Sequence, residues 1–246
     1  MGASLAMPGP FDYEAGVSWM QHKLAYLYGV DVRQALASRL GLPPAKVRFL
    51  NDAAGFLVGE IAAGAARDVS RVVGITLGTG VGSAFGVDGH VVREGVGVPT
   101  GGEIWNVPYA GGILEDQIST RAIQQAYRSR TGEDREVAAI ASMAGTYPVA
   151  AETFSAFGTS LGVALRTVLA TFGPRVIVLG GGISRSAPLF LSAAQSELTE
   201  MGAELRVTAL GDHAPLVGAG AAWFAGEPGS SSGAENADAA ENTSAS

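Results

Sequence analysis

Short β-branched runs, most of them ending in glycine, alternate along this chain with longer segments whose apolar residues recur every three or four positions. Gly2 to Met7 reads as an apolar strand halted by Pro8-Gly9-Pro10. Apolar residues on both of its faces predict an interior strand with neighbours on either side. Phe11 to Val30 carries aromatic residues without a clear period and is expected to be a loop that contacts substrate or partner. Asp31 caps a predicted helix that runs to Leu40, with Val32, Ala35, Leu36 and Leu40 on one face and Gly41 closing it. Lys46 to Leu50 reads as a strand, and Asn51-Asp52 opens a helix from Ala53 to Ala66. Strand, helix, strand, helix predicts an α/β layer.

The next stretch is a glycine-rich hairpin. Val72 to Leu77 breaks into Gly78-Thr79-Gly80-Val81-Gly82, a second apolar run reaches Val87, and Asp88-Gly89 turns the chain into His90 to Val92. A loop rich in Gly and Pro follows from Gly95 to Gly112, then predicted helices over Leu114 to Arg130 and Asp134 to Met143. Tyr147 to Phe172 reads as one long helix, apolar at Phe154, Phe157, Leu161, Leu165 and Leu169, with Gly158 and Gly162 allowing close packing. Arg175 to Leu179 has the unbroken pattern of a buried strand and runs into Gly180-Gly181-Gly182. A helix from Ala187 to Met201, a strand from Leu205 to Leu210 and a helix from Leu216 to Phe224 complete the expected order. From Gly226 onward little can be buried, and a disordered tail over 227–246 is expected.

Composition narrows the choices. The 246 residues suit one large or two small domains, and 47% apolar content supports a sizeable core. Net charge is −7, of which Glu227, Glu235, Asp238 and Glu241 in the tail supply four units, so the body offers no basic surface to nucleic acid or an anionic membrane. The absence of cysteine excludes disulfides, thiolate zinc sites and cysteine nucleophiles. No signal peptide or spanning run is visible, and a cytoplasmic protein is expected.

Candidate chemistry lies where strands end. The loop Gly78 to Gly82 could present successive N–H groups to a phosphate, or it could be a tight turn built on residues with positive φ. It is neither a P-loop nor a Rossmann fingerprint. Asn51 and Asp52 sit between a strand end and a helix start, where α/β sheets bind ligands; Asp52 could act as a base, and both are also ordinary capping residues. Gly180 to Gly182 could lie flat against a nucleotide or form a plain strand-to-helix turn. Glu103 and Glu115 could accept bonds from sugar hydroxyls or be solvated acids. His22, His90 and His213 form no triad or metal spacing.

The order Pro8-Gly9-Pro10, Leu50-Asn51-Asp52-Ala53, Gly74 to Gly82, Gly101-Gly102-Glu103-Ile104, Leu114-Glu115 and Val178 to Gly182 resembles the ROK family of sugar kinases, which includes bacterial glucokinases, over about residues 2–225. The resemblance implies the actin-like, ribonuclease-H-like ATPase fold, two lobes around a cleft, with a partial first lobe over 1–69 and a second over 70–226. It implies transfer of the γ-phosphoryl of ATP to a hexose hydroxyl, with Asp52 as catalytic base and Asn51, Glu103, Asn106 and Glu115 as sugar ligands. Gly78, Thr79, Gly80 and Gly82 would serve the phosphates, and Gly180, Gly181 and Gly182 the adenosine. ATP and Mg²⁺ are the implied cofactors, and a homodimer is the implied assembly. The alternative is a catalytically degenerate sugar or nucleotide binder of the same fold. Two features depart from the family pattern. Glu103-Ile104-Trp105-Asn106 puts Asn106 where a histidine touches sugar and zinc, and with no cysteine present a zinc-free site is expected. The first phosphate loop, with its Mg²⁺-binding aspartate, belongs upstream of Gly2 to Met7, so a truncated first lobe with low turnover is expected.

Overall fold

The computed structural model describes residues 1–21 and 23–225; His22 and the expected tail lie outside the described residues. Strand β1 (Ala3–Met7) leads into a small antiparallel hairpin, β2 (Phe11–Asp12) and β3 (Val17–Ser18). The segment expected to be a loop therefore has a core of its own: Phe11, Met20 and Val32 are buried together, and the Phe11 ring stands 5.3 Å from Tyr13 and 5.0 Å from Phe49. Aromatic contacts replace the missing periodicity there. Helix α1 (Val32–Leu40) starts where Asp31 Oδ1 accepts the Gln34 N–H at 2.8 Å and stops at Gly41, φ 64°. Strand β4 (Val47–Asn51) then pairs in parallel with β1, Ala3 opposite Val47 through Met7 opposite Asn51. Among the described residues β1 has β4 as its one neighbour, and it is half-buried along its length rather than fully buried as expected.

Helix α2 (Asp52–Ala63) follows at once, then the antiparallel strands β5 (Arg71–Leu77), β6 (Val81–Val87) and β7 (His90–Val92). Asp88 and Gly89 both have positive φ, 47° and 84°, the turn that matches strand twist. The Gly-Pro loop carries a short ladder, β8 (Pro108–Tyr109) against β9 (Gly112–Ile113). The helix expected over Leu114 to Arg130 is two, α3 (Leu114–Ile118) and α4 (Thr120–Thr131), broken at Ser119. At the break the Thr120 N–H bonds the Gly78 carbonyl at 2.8 Å, a tertiary partner in place of a helical one. Helices α5 (Val137–Met143) and α6 (Pro148–Leu169) precede strand β10 (Val176–Gly180). The helix expected over Ala187 to Met201 begins instead as a 3₁₀ stretch, Gly182–Leu189, which contains Pro188; α7 (Leu191–Leu198) follows it. Strand β11 (Glu204–Val207) and helix α8 (Ala214–Ala225) end the described chain.

The main sheet runs β11-β10-β5-β6-β7, with β11, β10 and β5 parallel. Its two faces are built differently. Val73, Ile75, Leu77, Phe85, Ile177 and Leu179 point into the large core formed with α3 to α7. There Gly158 and Gly162 of α6 let the backbone around Phe190 and Ala194 come close, as the sequence implies. The opposite face is lined with small residues: Gly74, Gly86 and Gly180 present no Cβ, and Phe56 and Leu57 of α2 occupy the space. A second set of glycines sets α2 against α8: Gly59 lies on the Ala214 carbonyl and Gly218 on Gly55. Helix α8, which the expected boundary assigns to the second lobe, thus packs on α2 and also meets β4 through Leu50, Ala219 and Ala222. Helix α2 is held between the main sheet and α8, and this fixes where its first residues point.

Candidate functional site

Strands β5 and β10 are parallel neighbours with Gly180 opposite Thr76, so both glycine runs leave the sheet at the same edge. In α/β sheets that carboxyl edge is where ligands bind. No residue from Gly78 to Gly82 has positive φ, so neither a left-handed turn nor an alternating-handed anion nest is formed there. These glycines serve close approach instead. A Cβ on Gly82 would meet the Thr76 hydroxyl and stand 3.2 Å from Ala53 Cβ, and one on Gly80 would stand 2.9 Å from Glu115 Oε2. Within the loop the Gly78 N–H donates to the Gly80 carbonyl at 3.0 Å, and the Val81 N–H donates to Glu115 Oε2 at 2.8 Å. The N–H groups of Thr79 and Gly80 have no acceptor among the described residues. Glu115 is therefore joined to the glycine loop, and its other oxygen has no partner there.

The Ala53–Gly82 contact brings the start of α2 against this loop. Asn51 is the helix cap: its Oδ1 accepts the N–H groups of Ala53 at 2.9 Å and Ala54 at 3.1 Å. Its Nδ2 donates to the Tyr13 hydroxyl at 3.0 Å, which donates in turn to the Met7 carbonyl at 3.0 Å. With Oδ1 filled, Asn51 keeps one free N–H. Asp52 is exposed, and its Oδ1 accepts the Ala53 N–H at 2.8 Å. Tyr13 reports on what surrounds it. Burial pushes its hydroxyl above the usual tyrosine range; the Asn51 bond opposes this, the Asp52 charge adds to it, Arg93 opposes and Glu103 adds. The charges of Asp52 and Glu103 thus both reach the Tyr13 hydroxyl. Glu103 is hung from β6, where Ser83 Oγ donates to the Gly102 carbonyl at 2.6 Å and accepts the Ile104 N–H at 3.1 Å. Its Oε2 accepts the Trp105 indole N–H at 2.9 Å, and the Trp105 carbonyl accepts the Glu115 N–H at 3.0 Å. Asn106 is exposed, and its side chain has no hydrogen bond among the described residues.

The three glycines that close and follow β10 divide into three roles. Gly180 is buried, and a Cβ there would strike the Phe56 ring, so it serves α2 and not a ligand. Gly181, at φ 80°, leaves no room beside the Leu77 backbone. Gly182 is exposed with nothing within 4 Å of a Cβ. A cavity of about 220 Å³ opens beside them, lined by Gly181, Ser184 and Arg185 on one wall and Val207, Thr208, Gly211 and Asp212 on the other. Arg185 and Asp212 pair across it. Sequence reasoning missed this second wall, and missed Tyr13 and Ser83 as well. Its signal would have been the polar Thr208 and Gly211-Asp212 just past a strand end; nothing in the sequence marks Tyr13. A wider groove of about 320 Å³ along α4 shares no residue with the site, and its arginines 121, 128 and 135 are paired with Asp116, Asp134 and Glu133. Among the described residues no group of three or more His, Cys, Asp or Glu could hold a metal ion, and no helix is long and apolar enough to cross a membrane.

A model of the ROK family matches residues 1–226. The chain belongs to the ROK family. The ROK chain is 25% identical over 221 residues to the glucokinase of Thermotoga maritima, covering 80% of itself and 68% of that enzyme. It is 23% identical over 236 residues to the xylose repressor of Bacillus subtilis, covering 89% of itself and 59% of the repressor. Among solved structures it superimposes with TM-score 0.72, at 23% identity, on a ROK family glucokinase from Streptomyces griseus in complex with glucose and AMPPNP, covering 89% of this chain and 80% of that one. The fold is the actin-like ATPase fold of ROK sugar kinases, an α/β architecture with a central sheet.

Proposed function

We propose that this ROK protein transfers the γ-phosphoryl group of ATP to a hexose hydroxyl, with Asp52 as the base. One observation carries the reading: two glycine runs leave adjacent parallel strands at one edge, and the helix bearing Asp52 abuts the first of them through Ala53 and Gly82. The fold likeness to a glucokinase holding glucose and AMPPNP supports it.

In this reading the nucleotide's purine and ribose occupy the 220 Å³ cavity beside Gly181, with Gly182 at its exposed rim. The phosphates extend over Gly78 to Gly82, where the free N–H groups of Thr79 and Gly80 donate to phosphoryl oxygens. The hexose lies between Asp52 and Glu103, with the remaining Asn51 N–H, Asn106 and the free Glu115 oxygen as further partners. Glu103, fixed by Trp105 and by the Ser83 anchor, holds the sugar in register. Asp52 takes the proton of the attacking hydroxyl as its oxygen bonds to the γ-phosphorus, the bond to the β-phosphate oxygen breaks, and ADP leaves. Positioning and charge stabilisation supply most of the acceleration of phosphoryl transfer.

Mg²⁺ usually needs one or two carboxylates beside phosphate oxygens and water, a demand that Glu115, already shared between the Val81 N–H and the sugar, does not meet. Carried in on the nucleotide, the ion would neutralise charge on the phosphoryl oxygens.

The second reading, a binder without turnover, is favoured by the loop itself. Gly78 and Val81 spend their N–H groups inside the protein, leaving fewer donors for a phosphate. An ATP-coupled assay with glucose, mannose, allose and their N-acetyl forms separates the two. Turnover of at least one hexose is expected. Hexose binding by calorimetry with no turnover establishes the binder, and no response to any hexose overturns both.

A further inference from the structure

Glu60 lies in the interior of α2, fully buried at 0% exposure, and no Lys, Arg or His side chain pairs with it among the described residues. A buried carboxylate without a counter-ion is costly unless hydrogen bonds fill its oxygens. Here they do. Oε2 accepts the Ala65 N–H at 2.7 Å and the Ala209 N–H at 3.2 Å; Oε1 accepts the Leu210 N–H at 3.1 Å and the Thr208 hydroxyl. The Thr208 Oγ1 accepts the Gly211 N–H at 2.8 Å, and the Thr208 N–H bonds the Leu179 carbonyl at 2.8 Å.

The donors share one destination. Apart from Ala65, they come from Thr208 to Leu210, which lie between β11 and the 3₁₀ turn Gly211–His213 and belong to no ladder or helix that could satisfy them. Val207 to Asp212, the stretch that holds them, is also the second wall of the 220 Å³ cavity. The same helix carries Asp52 at its first turn, eight residues and about 12 Å along its axis. An apolar residue at position 60 would fill the space more cheaply, but the wall would lose the acceptor on which three of its donors converge.

We propose that Glu60 is a positioning residue for the nucleotide: its carboxylate sets the shape of the Val207 to Asp212 wall and ties that wall to the helix bearing Asp52. It touches neither ligand. The inference rests on reading that cavity as the nucleotide subsite. Thr208 relays the effect, because its hydroxyl is spent on Glu60 and Gly211 and is not free to bind a ligand.

The test is calorimetric titration of the whole chain with ADP and Mg²⁺, alongside urea unfolding, for the wild type, Glu60→Gln, Thr208→Val and Thr208→Ser. Glutamine must turn an amide N–H₂ toward at least one backbone donor, and valine removes the relay. ADP binding about tenfold weaker than wild type is expected for both, the loss expected for a hydrogen bond to a charged group. Serine, which keeps the hydroxyl, should restore it. All titrations run well below the unfolding transition, so a purely structural role would lower the urea midpoint and leave the ADP affinity of the folded protein unchanged. That result, or failure of serine to rescue valine, overturns the role of Glu60. If Glu60→Gln does not fold, the Thr208 pair decides. A wild type that binds no ADP overturns the nucleotide subsite itself, and the inference with it.

Discussion

Gly78 to Gly82 follows one buried strand and Gly180 to Gly182 begins as the last residue of another; the two strands are neighbours in one sheet, yet the glycines answer to different constraints. In the first run the backbone is unstrained and side chains crowd in: Thr76, Ala53 and Glu115 occupy the room a Cβ would need. In the second, one residue stands at φ 80° and ψ 177°, a region essentially open to glycine alone, and is pressed on backbone; its predecessor makes way for an aromatic ring, and its successor stands in the open. Side-chain neighbours can move and backbone neighbours cannot. The first loop is therefore adjustable and lies against the helix that starts at Asp52, while the second is a rigid corner beside the cavity.

The sharpest way to break this contrast is Gly181→Ala. This glycine-only region costs an L-residue about 1–3 kcal/mol, and overlap with the Leu77 backbone adds to it, so a loss of about 3 kcal/mol in urea unfolding is expected. Asp52→Asn addresses where the chemistry lies. With the cavity untouched, kcat should fall about 10²-fold or more while ADP affinity holds, since loss of a general base acts on the chemical step; unchanged turnover would return Asp52 to a plain helix-start residue. Gly82→Ala should cost about 1–2 kcal/mol, because the Thr76 hydroxyl can turn and Ala53 need give only slightly. A cost equal to that of Gly181→Ala would erase the distinction between the two runs.

Tyr13→Phe removes the bridge between Asn51 and Met7, and about 1 kcal/mol is expected at neutral pH. Because burial raises the Tyr13 pKa above its ordinary 10.0, the folded state holds this proton more tightly than the unfolded chain. That contribution is complete below pH about 10 and fades as pH rises through the folded value, so the wild type should lose its advantage over the phenylalanine variant there. Gly182→Ala should have the smallest effect, within about 0.5 kcal/mol, since no atom stands within 4 Å of the added methyl. If it weakens ADP binding without altering stability, a ligand passes close to that backbone.

The elements were largely legible because they obey local rules. The β-branched runs became β5 and β10, Asp31 and Asn51 cap the helices they precede, and Asp88-Gly89 makes its turn. The motif order was enough to indicate the family and its fold, since residues that meet a common ligand must recur in order even when their surroundings change. Local rules failed where the decisive partner is far along the chain. The break at Ser119 exists because Thr120 bonds Gly78, and the hairpin core under Phe11 exists because Phe49 comes to meet it.

The candidate site divides in the same way. Sequence alone determined which residues carry usable chemistry, because a carboxylate, an amide or a glycine is a property of one position. What each oxygen and each glycine is committed to was decided only by tertiary structure. Glu115 accepts from Val81, Asn51 spends its carbonyl on its own helix, Gly180 yields to Phe56, and Glu60, an unremarked helical acid in the sequence, gathers the wall of the cavity. A hydrogen bond needs its partner within about 3 Å, and that distance is set by packing between segments up to 150 residues apart.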